Sequence, residues 1–442
     1  MDKIKYIIPL LLSVVIALSS CSSSDDTYTY SNDCYIKLMV LGQMRRTVTT
    51  TNASGNDTTY TVSFSGSYYP LSINQVKQTI TSSVPLPVGT RINAVLVSAT
   101  FDGIMVYAPA ADTTEWKAYS SSDSIDFSSP VLFRVYSEDL TGYRDYTASL
   151  TVLQSDPTDY SWQQKPDAAM LAGRSSIKLT LFNNKLVALS QDAAGQCYIA
   201  TKADDDTWTE QTCTGAANAQ ISTLQCQGDK LWLSTTDGQL LSSDDGVAWT
   251  TVPVTPAFNL CLLASSPTSL YASDITSDAS AINGIYSSTD GVAWTAMDVE
   301  SNDYSLFPTK QIASVAYQHT NGLARVLVAG QTADEKATAV WSLCEGTKDP
   351  WTLFSITGDN RYTLDVQKSP NIVDYNDQLI ALGGEIFISY DNGITWQESD
   401  KLTAPTELQG TDEAVAAAVQ GNGIWVVAGN KVWRVGLNSL QE

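Results

Sequence analysis

The chain repeats a short motif. Residues 242–249, 287–294 and 389–396 align without gaps on the pattern Ser-x-Asp-x-Gly-x-x-Trp. The first copy supplies Ser242, Asp244, Gly246 and Trp249, and the last supplies Ser389, Asp391, Gly393 and Trp396. The middle copy has Ser287, Gly291 and Trp294, with Thr289 at the aspartate place. Residues 201–208 keep the spacing but carry Ala203 and Asp205 at the Asp and Gly places. Residues 342–351 keep Gly346 but hold two extra residues before the tryptophan. Self-similarity at a fixed period limits a chain to arrays, solenoids or rings of like units.

Local chemistry says what each copy is. An aspartate carboxylate accepts hydrogen bonds from backbone N–H groups of its own turn, and glycine takes a backbone angle that other residues resist. Runs rich in β-formers, at 284–286 and 385–388, precede two of the copies. Each copy therefore reads as the turn between two strands of one sheet, its tryptophan starting the return strand and packing between sheets. Trp208, Trp249, Trp294, Trp351 and Trp396 stand 41, 45, 57 and 45 residues apart, a mean of 47. Four short strands with their turns need about that much chain, which is one propeller blade. Residues 158–442 then make a six-bladed β-propeller, with seven blades as the alternative if the 57-residue unit is divided. After the last copy the chain has three strands left, at 413–419, 423–428 and 431–437. The ring closes only if the missing fourth strand, 160–164 with Trp162, comes from the start of the domain.

The rest of the chain reads in three parts. Residues 1–20 are a signal peptide: Lys3 and Lys5, then an apolar run from Tyr6 to Leu18, too short to span a bilayer. The run ends in Leu18-Ser19-Ser20-Cys21, which resembles a bacterial lipobox, implying lipidation at Cys21. Residues 21–29 form a polar, acidic tether, similar to the export signal of Bacteroidetes surface lipoproteins. Residues 30–155 read as an all-β sandwich of short strands separated by Gly, Asn, Ser and Pro clusters. Its last hairpin, 132–139 with 146–152, resembles the closing hairpin of immunoglobulin-like modules in such lipoproteins. No other run of 18 apolar residues is present, so the lipid is the expected membrane attachment. The six cysteines after Cys21 show no disulfide framework; Cys197 and Cys213, flanking one hairpin, are the one pair placed to bridge.

The repeated turn resembles the Asp box of sialidases, sortilin-type receptors, photosystem assembly factors and glycan-active propellers. The box is a folding device and implies a fold, not an activity. The sialidase pattern fails residue by residue. It needs three arginines converging on a carboxylate. The propeller has Arg174, Arg325, Arg361 and Arg434, two of them inside expected strands, and no Arg-Ile-Pro entry motif. A single histidine, His319, argues against a histidine triad or a multi-histidine metal site. The acidic runs 204–206 and 244–245 lack calcium-loop spacing, so neither metal nor cofactor is expected. A net charge of −22 argues against nucleic-acid partners.

In propellers, ligands gather opposite the repeated turns, where blade-to-blade connections emerge. The longest such connections, 297–310 and 355–370, carry Asp303, Tyr304, Phe307, Asp359, Arg361 and Tyr362. Tyrosine faces suit sugar rings or a protein partner, and the arginine fork suits carboxylates. As a whole the chain is similar to an uncharacterised family of Bacteroidetes surface lipoproteins. The leading expectation is a non-catalytic, outer-membrane binding protein for a glycan or protein. The alternatives are a carbohydrate-active enzyme with paired carboxylates at the propeller axis, and an adhesin or structural surface protein.

Overall fold

The computed structural model describes residues 30–51, 57–318, 322–356, 361–366, 370–399, 401–409, 411 and 413–440. Cys21, the signal peptide and the tether lie outside the described residues, as do His319 and Asp359. The chain divides into two units at Asp156 and Pro157. No helix among the described residues is long and apolar enough to cross a membrane.

The first unit is all-β. One sheet holds Ile36–Leu41, Val95–Phe101 and Ser124–Ile125. A six-stranded sheet runs in the order Leu71–Asn74, Thr79–Ser82, Tyr143–Ser149, Val131–Tyr136, Ile104–Pro109, Lys117–Ala118. Gln43–Thr51 and Asp57–Ser65 form a separate hairpin. Strict alternation along Val131–Tyr136 puts Val131, Phe133 and Val135 into a core shared with Ile36, Met39, Val97 and Tyr146 from both sheets. On the other face, Arg134 grips Asp145 through Nε and Nη2 at 2.7 and 2.8 Å and lies over Tyr143 and Trp116.

The second unit is a six-bladed propeller of four-stranded antiparallel sheets. Blade 1 starts at Ser176–Phe182, blade 2 at Gln225–Gln227, blade 3 at Leu260–Ser265, blade 4 at Lys310–Gln318, blade 5 at Asn371–Tyr375 and blade 6 at Val415–Gln420. The fourth strand of blade 6 is Tyr160–Lys165, paired antiparallel with Lys431–Leu437 from Tyr160↔Leu437 to Lys165↔Val432. Charges fasten this seam to blade 1. Asp206 takes Lys202 at 2.9 Å and Lys165 at 3.2 Å, and both amines lie over the Trp425 ring.

The core of the ring is six separate clusters, one between each pair of blades, and each includes one outer-strand tryptophan. Trp208 fills the seam between blades 6 and 1, Trp249 that between 1 and 2, and Trp294 that between 2 and 3. Trp351, Trp396 and Trp162 serve the remaining three. Tryptophan is the side chain large enough to span such a gap. Cys197 and Cys213 are buried free thiols, directed at the carbonyls of Ala216 and Gly246. Desolvation pushes the Cys213 thiol up to about 12.

Candidate functional site

The repeated turns close differently from their ungapped alignment. In blade 2 the Ser243 hydroxyl donates to Asp245 at 3.0 Å and accepts from Gly246 N at 2.8 Å. Asp245 accepts Val247 N and Ala248 N at 2.8 and 2.9 Å. Blade 3 repeats this with Ser288, Asp290, Gly291, Val292 and Ala293. In blade 5 the same work falls to Ser389, Asp391, Gly393 and Thr395.

Ser242, Asp244 and Ser287 therefore sit one position too early. Asp244 is exposed and pairs with Lys230. Thr289 is no defect, because Asp290 supplies the carboxylate. The physical reason is an extra residue in blade 5. Asn392 takes φ 64° just before Gly393, a left-handed conformation that asparagine tolerates, whereas in blades 2 and 3 the aspartate is followed directly by the glycine. In all three turns the indole N–H donates to the turn glycine, Trp249 to Gly246 O at 3.0 Å, Trp294 to Gly291 O at 2.9 Å and Trp396 to Gly393 O at 3.1 Å. Trp208, Trp351 and Trp162, which follow degenerate turns or none, have buried indole N–H groups with no acceptor among the described residues.

The connections between blades also begin at these tryptophans. Thr214 O accepts Trp249 N, Thr255 O accepts Trp294 N, Asp298 O accepts Trp351 N and Tyr362 O accepts Trp396 N, all within 2.9 Å. Each of these four connections thus crosses the outer edge of the next blade before turning inward to its first strand. This separates the expected binding-face residues. Tyr362, 40% exposed, and Arg361, stacked on its ring at 4.5 Å, belong to the outer edge of blade 5. Asp303 and Tyr304 lie on the connection into blade 4. Asp303 accepts Ser305 N at 2.9 Å, and its hydrogen bonds to Ser305 hold its carboxyl below the usual range. Phe307 is not on a binding face. It is fully buried, 5.2 Å from the Trp341 ring and 5.8 Å from Trp351, because an inward-turning connection needs an apolar plug where it enters the blade seam.

The propeller axis holds a cavity of about 370 Å³, bounded by the first strands of blades 1, 2, 4, 5 and 6. Its polar lining is Lys178 and Thr180 of blade 1, Gln225 of blade 2, Ser314 of blade 4, and Asn371 and Asp374 of blade 5. The amides brace the ring across the axis. Gln225 accepts Ser265 Oγ at 3.1 Å and reaches Ser314 Oγ at 3.4 Å, while Asn371 donates to Val415 O at 3.0 Å. Asp374 is the one carboxylate in the lining, and burial, then the neighbouring Asp377, push its pKa up. Burial pushes the Lys178 pKa down. None of these channel residues stood out in the sequence. Their one common signal is a polar residue within a first strand.

A second groove, of about 610 Å³, lies where blade 5 hands on to blade 6. It carries Glu385 and Glu398 but no aromatic side chain. The arginines do not converge. Arg174 pairs with Glu210 at 2.6 Å, Arg325 faces Phe354, and Arg361 and Arg434 belong to blades 5 and 6. Among the described residues no three His, Cys, Asp or Glu side chains gather to hold a metal ion.

Residues 156–441 match the family model of the DUF6242 beta propeller domain, and residues 39–150 match the DUF6242 N-terminal domain, a domain of unknown function. The chain belongs to the DUF6242 family. No curated protein matches this DUF6242 chain in sequence. Among solved structures, its propeller resembles YCF48 bound to D1 peptide, at 17% identity over 65% of this chain and 84% of that one, TM-score 0.35. It also resembles an α-L-arabinanase of Penicillium chrysogenum complexed with arabinobiose, at 16% identity over 62% and 98% of the two chains, TM-score 0.40. A third likeness is to the six-bladed fucose-recognising lectin of Aleuria aurantia, at 15% identity over 61% and 96%, TM-score 0.36.

Proposed function

We propose that this DUF6242 protein is a lipid-anchored cell-surface binding protein whose propeller presents its connection face and axial mouth to a glycan or protein. The observation that carries the reading is the make-up of the axial cavity. Its polar side chains are mostly hydroxyls and amides, those of Thr180, Gln225, Ser314 and Asn371, set among aliphatic residues beside Lys178 and a single carboxylate, Asp374. Such groups suit a hydroxylated or amide-bearing partner. Glycoside hydrolysis uses two carboxylates facing each other across the scissile bond, and the axis offers one. The anchoring part of the reading rests on the lipobox-like segment ending at Cys21 and on the acidic tether behind it, with the sandwich serving as a spacer.

Two measurements test this. A glycan array probed with the chain from Asp25 onward should give saturable binding to a defined saccharide class, with no shortened product released. Silence on the array moves the partner to protein, and release of shortened glycans overturns the non-catalytic reading. For the address, protease added to intact cells should remove the protein, and Cys21→Ser should abolish fatty-acid labelling. Protection of the wild-type chain in intact cells overturns surface display.

A further inference from the structure

We infer that the axial channel is a binding site for a small monocarboxylate, with the Lys178 ammonium as its counter-ion and the Thr180 hydroxyl as a second donor. This goes beyond surface display and stands or falls separately from it. Lys178 lies on the first strand of blade 1, half-buried in the wall of the axial channel, and its side chain has no hydrogen bond or ion pair among the described residues. The chain does not lack acids to pair with it: Asp and Glu total 47 against 25 Lys and Arg. Lys165, Lys202, Lys230, Lys310 and Lys431 each have a carboxylate within 3.3 Å. A cation partly withdrawn from water with no partner is unfavourable, and an anion beside it relieves that.

The neighbours leave the place open. Blade 2 faces the channel with Gln225, blade 4 with Ser314, blade 5 with Asn371 and Asp374, and blade 6 with alanines. Asp374 is the only other titratable group in that lining. It lies three residues further along its strand than Asn371, roughly 10 Å down the axis, and what perturbs it is burial and Asp377, not Lys178. Thr180 stands two residues from Lys178, on the same side of the strand, and its hydroxyl has no partner among the described residues. One ammonium neutralises one charge, so a monoanion fits where a dianion would leave a charge uncompensated. The volume of about 370 Å³ admits acids up to the size of a sugar uronate. Burial pushes the Lys178 pKa down, and a carboxylate beside the amine favours its charged form.

Titration calorimetry on the full chain, in two buffers of different ionisation enthalpy, tests this with glucuronate and acetate as probes. The expected result is saturable binding of glucuronate, of acetate or of both. The methyl ester of glucuronate should bind at least about tenfold more weakly than the acid. Lys178→Met should lose at least about tenfold in affinity while unfolding no earlier on heating than the wild type. Lys178→Arg, which keeps the charge, should retain binding. Binding by glucuronate but not acetate assigns the site to a saccharide acid, and binding by both assigns it to carboxylates at large. The inference is overturned if neither probe saturates at millimolar concentration. It is equally overturned if the ester matches the acid, if inorganic phosphate binds more tightly than both probes, or if Lys178→Met binds as the wild type does.

Discussion

The placement of the turn aspartates can be decided by two neighbouring substitutions. Asp245 accepts two backbone N–H groups and one hydroxyl at 2.8 to 3.0 Å. Asp244, one residue earlier, is exposed and meets only Lys230 among the described residues. A side-chain acceptor that serves otherwise free backbone donors in an exposed cap contributes about 1 kcal/mol. Two N–H groups and an ionised acceptor put Asp245→Ala at about 1–2 kcal/mol of propeller stability. Asp244→Ala removes a surface ion pair and should cost no more than about 0.5 kcal/mol. Urea unfolding followed by tryptophan emission reads both, since Trp249 packs directly behind this turn. The cost also depends on pH. The N–H groups of Ala248 and Val247 hold the Asp245 pKa below its ordinary 3.8. The carboxylate's contribution is therefore complete above pH 3.8 and is lost as pH falls through the depressed value. The gap between wild type and Asp245→Ala should close in strong acid. Equal costs for the two substitutions, or a larger one at Asp244, would refute the argument.

Three further outcomes follow from the same structure. Trp249→Phe and Trp351→Phe make the same truncation, but the first breaks an indole bond and the second removes an unpaired one. The first should cost about 1 kcal/mol more, read as a lower urea midpoint, and equal midpoints would contradict this. Lys178→Met should raise stability, and more so at lower pH. The unfolded lysine titrates near 10.5 and the folded one below it, so wild-type stability declines as pH drops between those values. A pH-independent gap in melting temperature would sink that reading. Asp206→Asn leaves Lys202, 7% exposed, and Lys165 side by side without their shared carboxylate. It should lower stability by about 2 kcal/mol, and an unchanged melting temperature would show the seam does not depend on the pair.

The ring was readable because its determinants are short and periodic. The turn glycines and outer tryptophans recur at blade length, and Trp162, lacking a turn of its own, stands where a sixth copy is due. The aspartates were misplaced by one because Ser242-Ser243 and Asp244-Asp245 are doublets, and a doublet hides which member points inward. Only the hydrogen-bonding geometry distinguishes a two-residue from a three-residue path between serine and glycine. Phe307 misled for another reason. An aromatic in a long polar connection reads as exposed, yet it sits where that connection dives into the seam between blades 3 and 4. Lys178 gave no signal at all. A lone lysine amid Ile177, Leu179 and Leu181 alternates as on any half-exposed strand. That the water-facing side is the interior of a ring is a property of six strands together, not of one.

Ring closure also orders the life of the molecule. The pairing Tyr160↔Leu437 joins residues 277 positions apart, so the sixth sheet stays unsealed until Lys431–Leu437 has been made and has met it. A chain clipped before Lys431 would hold five complete sheets and a Trp162 ribbon with nothing to lie against. Presence of Lys431–Leu437 is thereby reported at the opposite end of the domain, next to Pro157, where its loss leaves Tyr160–Lys165 as an unpaired strand.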